Sequence, residues 1–416
     1  MSATNSRFKV SIVAPTCFYY QAALFRELAA HPKIDLTVYF CSDEGHFSQD
    51  VWEMYKVDEQ WGGSEELLEG YRSILLRNYA PRPSYLKWPF GLINVGVIKE
   101  IILGRPDAVI LMSWMNPTWW MALTVCVLFR LPFLYMTDAN VQIEPLRSNR
   151  KRRIKRMILG NVLFRLCSGF LCAGTANRQF YKLYGVPDKK LFPFAYSWGY
   201  NQLFKVSADL RSQRSQIRGE CGIPEQGLVI LYCGRLSQEK NLFNLVAAYH
   251  QVDDERKTLI FVGDGELRQS LQNYVDELGA ASVFFFGFQN RDQIAKYYTI
   301  SDVLILPSIQ ETWGIVVNEA MCFGLPVIVS QQVGAGTDLV TNGQNGFSVG
   351  TDVGSLLCSI RQFTKLSDEE RLQMGRKSLD AMREWARRDL AESLVPIIKL
   401  VKTQQSGNRA GDSAGE

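Results

Sequence analysis

Three short segments hold the residue types that chemistry on a phosphorylated small molecule needs. The first is Cys233-Gly234-Arg235-Leu236-Ser237-Gln238-Glu239-Lys240-Asn241, directly after an apolar run that reads as a buried strand. Gly234 lets the chain turn sharply, and Arg235 and Lys240 set two cations around that turn. Ligands of open parallel sheets bind beyond the carboxyl ends of strands, and two cations there suit a diphosphate, Arg as a planar fork and Lys as a point charge. An exposed loop whose charges are merely solvated has the same pattern. The second segment, residues 307–320, sets Glu311 in the loop after a strand and Glu319 in the next helix. Gly314 permits close backbone approach, and the free N–H groups of the first helical turn can meet an anion. Glu319 shares a helix face with Val316, Ala320 and Phe323, so its carboxylate points inward and needs partners, which ribose hydroxyls would supply. A capping or surface-paired glutamate is the plainer alternative. The third segment, Phe261-Val262-Gly263-Asp264-Gly265-Glu266-Leu267-Arg268, offers Gly-x-Gly after a strand, but Arg268 takes the third glycine position of a dinucleotide fingerprint. A tight strand-to-helix turn near the ligand accounts for it better.

Parallel sheets must position these loops. Short apolar runs alternate with helical patterns almost throughout, the mark of an α/β chain. In the first half, residues 8–14, 36–40, 108–112, 133–137 and 170–173 read as strands buried on both faces, with helices at 21–30, 92–102 and 150–166. The second half repeats the arrangement, with strands at 228–233, 258–262, 283–286, 303–306 and 327–329 and helices at 242–251, 266–278, 291–299 and 315–323. The reading is two doubly wound, Rossmann-like units, at 1–203 and 227–384, joined by a polar linker at 204–226. A C-terminal helix at 385–402 is expected to return to the first unit, and 403–416 to be a disordered tail.

Composition narrows the field. Hydrophobic residues make up 47% and charged residues 21% of the 416, which excludes whole-chain disorder. The net charge of +4 is too small for a dedicated nucleic-acid binder. Nine cysteines without a Cys-x-x-Cys pair, and only His31, His46 and His250 beside them, argue against a disulfide framework or a structural zinc and for reduced cytosolic thiols. The first residues lack a signal-peptide pattern. The apolar stretch 114–136 is interrupted by Asn116, Pro117, Arg130 and Pro132, which leaves 118–129 too short for the roughly 17–25 residues of a membrane span. It reads as a buried helix followed by a buried strand, and a soluble, cytoplasmic protein is expected.

In this order, the segments resemble the retaining nucleotide-sugar glycosyltransferases of family 4, which have the two-domain GT-B fold. The resemblance covers roughly residues 228–350 and rests on Gly234-Arg235 with Lys240, Gly263-Asp264-Gly265, Ser301-Asp302-Val303 through Pro307-Ser308, the pair Glu311 and Glu319, Gly324-Leu325-Pro326-Val327, and Asn342-Gly343-x-Asn345-Gly346. It implies two parallel-sheet domains facing across a cleft. It also implies that Arg235 and Lys240 hold the donor diphosphate, that Glu319 holds the ribose and that Glu311 contacts the transferred sugar. Gly234, Gly263, Thr312, Trp313, Gly314, Ile315 and Val316 would border the donor, and Gly287 and Phe288 would flank its base. The implied reaction moves a hexosyl group from a nucleotide diphosphate sugar to a carbohydrate or lipid-linked acceptor, with retention. A sugar-nucleotide epimerase or phosphorylase on the same fold, and a non-catalytic nucleotide-sugar-binding subunit of a membrane assembly, are the other readings.

The chain departs from the family at two places. Gly334-Ala335-Gly336-Thr337-Asp338 stands where two adjacent glycines and a glutamate are usual. Where many members carry a histidine after a strand of the first domain, this chain reads Tyr135-Met136-Thr137-Asp138-Ala139-Asn140, so Asp138 is the ionisable candidate for a catalytic role. A turn or cap aspartate is the alternative.

The first half resembles the family only in architecture and in its opening strand and loop, Val13-Ala14-Pro15 to Gln21. Arg147, Arg150, Lys151, Arg152, Arg153, Lys155 and Arg156 cluster before Met157, Ile158 and Leu159, a pattern that suits an anionic membrane surface on the inner face. A solvated helix face is the alternative, and RNA ranks last because interleaved aromatics are missing. Trp114, Trp119 and Trp120, with Phe18, Tyr19 and Tyr20, either line a sugar or lipid cleft or belong to the core. No metal and no cofactor are expected. The nearest acidic cluster, Asp253-Asp254-Glu255, falls between a helix and the following strand, the wrong end of the sheet for a donor site.

Overall fold

The computed structural model describes residues 7–43, 67–85, 87, 89–113, 116–143, 153, 156–195 and 199–412. Strands β1 (Phe8–Ala14), β2 (Ile34–Phe40), β3 (Arg72–Leu75), β4 (Ala108–Met112), β5 (Phe133–Met136), β6 (Gly169–Cys172) and β7 (Leu191–Pro193) form one sheet in the order β3-β2-β1-β4-β5-β6-β7. Strands β8 (Leu228–Cys233), β9 (Lys257–Val262), β10 (Val283–Gly287), β11 (Val303–Leu306), β12 (Val327–Ser330) and β13 (Gly346–Val349) form a second, in the order β10-β9-β8-β11-β12-β13. Every pairing within both sheets is parallel. These are two Rossmann-like units of GT-B type. Each strand order reverses once, between β1 and β4 and between β8 and β11, and loops leaving neighbours at such a point diverge and open a crevice.

The central strands form because their side chains are apolar on both faces: all six residues of β8 and all four of β11 and β12 are buried. Sequence reading passed over β3, β7 and β13. Each is an edge strand of three or four residues with part of its surface exposed, too short to carry a distinct pattern, and Pro193 further disguises β7.

Helix α1 (Tyr19–Ala30) covers one face of the first sheet, and α2 (Gly96–Gly104), α3 (Pro117–Leu128), the turns at 156–166 and α4 (Thr175–Leu183) cover the other. Right-handed crossovers require this, because the chain moves one way from β1 to β2 and the other way from β3 through β7. Asn116 starts α3, its side chain accepting from the Trp119 amide at 3.0 Å with Pro117 in the first turn. Trp119, Ala122 and Cys126 face the sheet and are buried. Among the described residues, no helix is long and apolar enough to cross a membrane.

The expected linker at 204–226 is helical instead, with α5 (Tyr200–Leu210), a 3-10 turn (Arg211–Gln213) and α6 (Arg214–Glu220). Two of its charges, Arg214 and Arg218, are turned inward. The Asp302 carboxylate accepts from Arg214 Nη2 at 2.7 Å, from Arg218 Nη2 at 2.9 Å and from the Val229 amide at 2.7 Å. Arg214 Nη1 also donates to the carbonyls of Thr299 and Ser301. Arg218 is buried and Asp302 partly so, and removing Asp302 would leave the guanidinium without its counter-charge at a cost of about 1–3 kcal/mol. This stretch is thereby fastened to the second unit.

The second sheet is covered by α7 (Leu242–His250), α8 (Arg268–Leu278), α9 (Arg291–Ile300), α10 (Ile315–Cys322), α11 (Gly334–Leu339), α12 (Val353–Thr364) and α13 (Asp368–Ala386). The last helix, α14 (Leu390–Asp412), reaches back to the first unit. The Leu390 amide donates to Glu27 Oε1 at 3.2 Å, His31 Nε2 lies 2.8 Å from Glu392 Oε2, and Lys402 Nζ donates to Asp107 Oδ1 at 2.5 Å. The expected disordered tail is helix as far as Asp412, while 413–416 lie outside the described residues. Extending a helix already nucleated by the buried Leu394, Ile398 and Val401 is far easier than starting one, so weak composition does not end it there.

Candidate active site

The loop after β8 carries Lys240 and the loop after β11 carries Glu311, so the reversal of strand order sets them on opposite banks of one crevice. Lys240 Nζ donates to Glu311 Oε2 at 2.5 Å, with the two side chains only 16% and 14% exposed. The cleft around this pair has a volume of about 250 Å³. Cys233, Gly234, Lys240, Leu306 and the run Glu311, Thr312, Trp313, Gly314, Ile315 and Val316 line it from the second unit, and Asp138 lines it from the first. Gly314 precedes α10 with φ +92°, a left-handed turn that aims the start of the helix into the cleft. The orphan amides of that first turn give the cleft a partial positive charge.

Arg235 stands beside this cleft without lining it, its Nε 3.9 Å from Glu266 Oε2. Gly263 and Gly287 also stay outside the lining and serve backbone packing. A Cβ on Gly263 would lie 1.9 Å from the Gly234 carbonyl oxygen, and the Gly263 amide donates to the Gly287 carbonyl at 2.8 Å. The three strand-end turns at Gly234, Gly263 and Gly287 thus nest backbone against backbone. Arg268, which spoils the dinucleotide fingerprint, pairs with Asp264 at 2.8 Å. Phe288 follows this nest and lies outside the lining as well.

Glu319 points inward as expected, but a protein group meets it first. The Tyr298 hydroxyl donates to Glu319 Oε2 at 2.8 Å, and Cys233 Sγ lies 3.6 Å from the same hydroxyl. Burial holds the Tyr298 pKa well above its ordinary value, and burial with the nearby Glu319 charge pushes the Cys233 thiol up to about 12. Both therefore stay neutral at physiological pH. Glu319 is buried and is not among the residues that line the cleft.

Trp313 is an anchor of the glutamate loop. It is buried, its Nε1 donates to Asn318 Oδ1 at 2.8 Å, and its ring stacks on Trp385 at 5.5 Å. Its outer edge meets the first unit, where a Cβ on Gly174 would lie 2.4 Å from the ring.

Sequence reasoning missed the groups that tie the two units together here. The buried Asn140 amide donates to the carbonyls of Glu311 at 3.0 Å and Thr312 at 2.8 Å, and its oxygen accepts from the Ile143 amide at 3.0 Å. Gln142 Nε2 donates to Thr337 Oγ1 at 2.9 Å. Asp338 accepts from the Thr175 amide at 2.8 Å and from Thr175 Oγ1 at 2.6 Å, capping α4 from the other unit. The departure at residues 334–338 thus has a structural use, and the two departures noted in the sequence were the available signal.

Of the other candidates, Trp119 is core, Trp120 is exposed, and Phe18 packs edge-on against Tyr85 at 5.8 Å. Trp114, the side chains of Tyr19 and Tyr20, and Arg147, Arg150, Lys151, Arg152 and Lys155 lie outside what the structure describes. Arg153 and Arg156 are exposed. Asp253, Asp254 and Glu255 precede β9, at the opposite end of the sheet from Lys240 and Glu311.

Residues 213–380 match the profile of the family described as "Glycosyl transferases group 1". An uncharacterized glycosyltransferase of Methanocaldococcus jannaschii is 33% identical over 139 residues, covering 33% of this chain and 35% of that protein. The lipopolysaccharide 1,2-N-acetylglucosaminetransferase of Salmonella typhimurium is 29% identical over 182 residues, covering 40% of this chain and 47% of that protein. The chain thus spans less than half the length of either curated relative. Among solved structures, HepE of Anabaena in complex with UDP and glucose aligns over 97% of this chain and 100% of its own, with a TM-score of 0.67 at 18% identity. That likeness is one of fold.

Proposed function

We propose that this chain is a glycosyltransferase that moves a hexosyl group from a nucleotide diphosphate sugar to a carbohydrate or lipid-linked acceptor, with retention of configuration. The observation that carries this reading is the Lys240–Glu311 pair at the strand-order reversal, facing the start of α10 and, across the cleft, Asp138. Breaking the bond between the anomeric carbon and the diphosphate leaves negative charge on phosphate oxygens. Lys240, Arg235 and the amides at Ile315 and Val316 are the groups to receive it. Glu311 then orients the sugar by accepting from its hydroxyls, Glu319 receives the ribose, and Gly287 and Phe288 border the base. Asp138, on the acceptor side, takes the role of proton acceptor for the incoming hydroxyl. Closure of the two units keeps water from the activated sugar.

The fold likeness to HepE, solved with UDP and glucose, makes uridine diphosphate sugars the first donors to test. The Salmonella relative's action on lipopolysaccharide makes a lipid-linked glycan the first acceptor class. We assign the chain to the cytoplasm, since nine free cysteines fit a reducing compartment. No metal or cofactor enters the proposed reaction. The test is a thermal-shift screen of UDP-, GDP- and ADP-sugars, followed by turnover of the stabilising donor in labelled form with a membrane extract, and the anomeric configuration of the product read by NMR. Stabilisation without transfer in any extract would make the chain a binding subunit, and an inverted product would remove the retention assignment.

A further inference from the structure

Among the described residues eighteen large hydrophobic side chains are exposed, and twelve of them lie between Val95 and Leu183. They sit on α2, α3, the turns at 156–166 and α4, the layer that the crossovers place on one face of the first sheet. Each element buries one side against that sheet and presents apolar groups on the other, as with Leu103, Leu128, Phe129, Met157, Val162 and Leu166. Single exposed hydrophobics are ordinary, but a dozen gathered on one helical layer call for something to cover them.

Charge on the same stretch identifies the cover. Residues 95–183 carry thirteen Lys and Arg against four acids, Glu100, Asp107, Asp138 and Glu144, while the whole chain is only +4. Asp138 lines the cleft, and Asp188, just past this stretch, is engaged by Arg178 at 2.8 Å and Lys182 at 2.9 Å. The cations Arg153, Arg156 and Arg165 stand exposed among the apolar groups. A second copy of the chain would set like charges face to face. We propose that this layer docks on the surface of a bilayer containing anionic lipid, with its apolar side chains in the headgroup–acyl boundary and its cations on the lipid phosphates. Trp120, in the first turn of α3, carries the layer to the carboxyl ends of the strands, which is the cleft end of the sheet. An acceptor held in that bilayer would then lie beside the cleft. The docking itself does not rest on the proposed transferase activity and is read without donor or acceptor.

The experiment is flotation of the full chain with vesicles of phosphatidylcholine alone and of phosphatidylcholine with phosphatidylglycerol. Wild type should bind the anionic vesicles and bind less as salt rises. Leu128→Glu with Phe129→Glu, and Met157→Glu with Val162→Glu, should each lower the partition coefficient by on the order of tenfold or more. Arg153→Gln with Arg156→Gln should lower it by roughly tenfold. Leu372→Glu, at an exposed apolar position of the second unit, should change nothing. Unchanged melting temperatures establish that the variants fold. Absence of wild-type binding, or retained binding in both apolar pairs, overturns the proposal. A wild-type dimer that those same variants dissolve, without vesicle binding, would give the face to a second copy and overturn it equally.

Discussion

Asn140 of the first unit donates its side-chain amide to the main-chain carbonyl of Thr312, 2.8 Å away on the far bank of the cleft. The second amide hydrogen goes to the neighbouring Glu311 carbonyl, so one buried side chain holds the loop that presents the Glu311 carboxylate. Asn140→Leu keeps the branched shape and removes both donors, leaving the Thr312 carbonyl without this bond at about 1–3 kcal/mol and the Glu311 carbonyl with the longer one from the Gly334 amide. Turnover should fall on the order of tenfold to a hundredfold, mainly in kcat, while nucleotide affinity changes about twofold or less. Asn140→Gln should recover part of the loss. An unaltered kcat in Asn140→Leu would show that the loop keeps its place unaided.

Lys240 and Glu311 hold each other in the cleft, so neither can be removed without consequence for the other. Lys240→Met leaves a mostly buried carboxylate without its cation and should lower stability by about 1–3 kcal/mol, less than for a fully buried pair. Adding Glu311→Leu should restore most of that stability and none of the activity. Arg235 is one-third exposed, so Arg235→Ala should cost activity with little change in melting temperature. Restored turnover in the double variant would end the assignment of both residues to donor and sugar.

The Tyr298 hydroxyl donates to one oxygen of Glu319, the residue proposed to receive the ribose. Glu319→Gln should weaken nucleoside diphosphate binding on the order of tenfold, read by calorimetry. Tyr298→Phe withdraws the buried donor and should lower stability by about 1–3 kcal/mol while weakening the nucleotide less than Glu319→Gln does. Equal nucleotide affinity in wild type and Glu319→Gln would confine Glu319 to a structural role.

Strands buried on both faces, such as β8 and β11, announced themselves in sequence because every residue is apolar. The edge strands β3, β7 and β13 did not, since half-exposed strands of three or four residues carry little pattern. Charges misled where they were paired at long range. Arg214 and Arg218 read as part of a polar linker because their partner, Asp302, lies more than eighty positions away. For the site, Lys240 and Glu311 could be named from their place after strands, but their pairing could not. The absence of a side chain at Gly263 also lets its turn nest against the Gly234 backbone, a packing use that the sequence does not show. Asn140 and Asp338 went unseen because their partners are main-chain groups of the other unit, which composition does not reveal.

Transfer should need no divalent metal. Enzymes that hold a diphosphate through Mg²⁺ or Mn²⁺ supply oxygen ligands, commonly carboxylates, at the same end of the sheet as the donor. Asp253, Asp254 and Glu255 are at the opposite end, where Asp254 Oδ1 accepts from the Arg256 amide at 2.9 Å and closes a turn before β9. Glu311 faces the cleft but is taken up by Lys240, and Asp138 reaches it from the other unit. In the proposed reaction the charge that a metal would neutralise falls instead to Lys240, Arg235 and the first turn of α10. Activity should survive dialysis against EDTA with the accepted donor and acceptor, and added Mg²⁺ or Mn²⁺ should change kcat by no more than about twofold. Loss of turnover in EDTA with recovery on adding either ion would put a metal on the diphosphate. Lys240 and Glu311 would then need new roles, because a cation site built on Glu311 cannot coexist with its ion pair to Lys240.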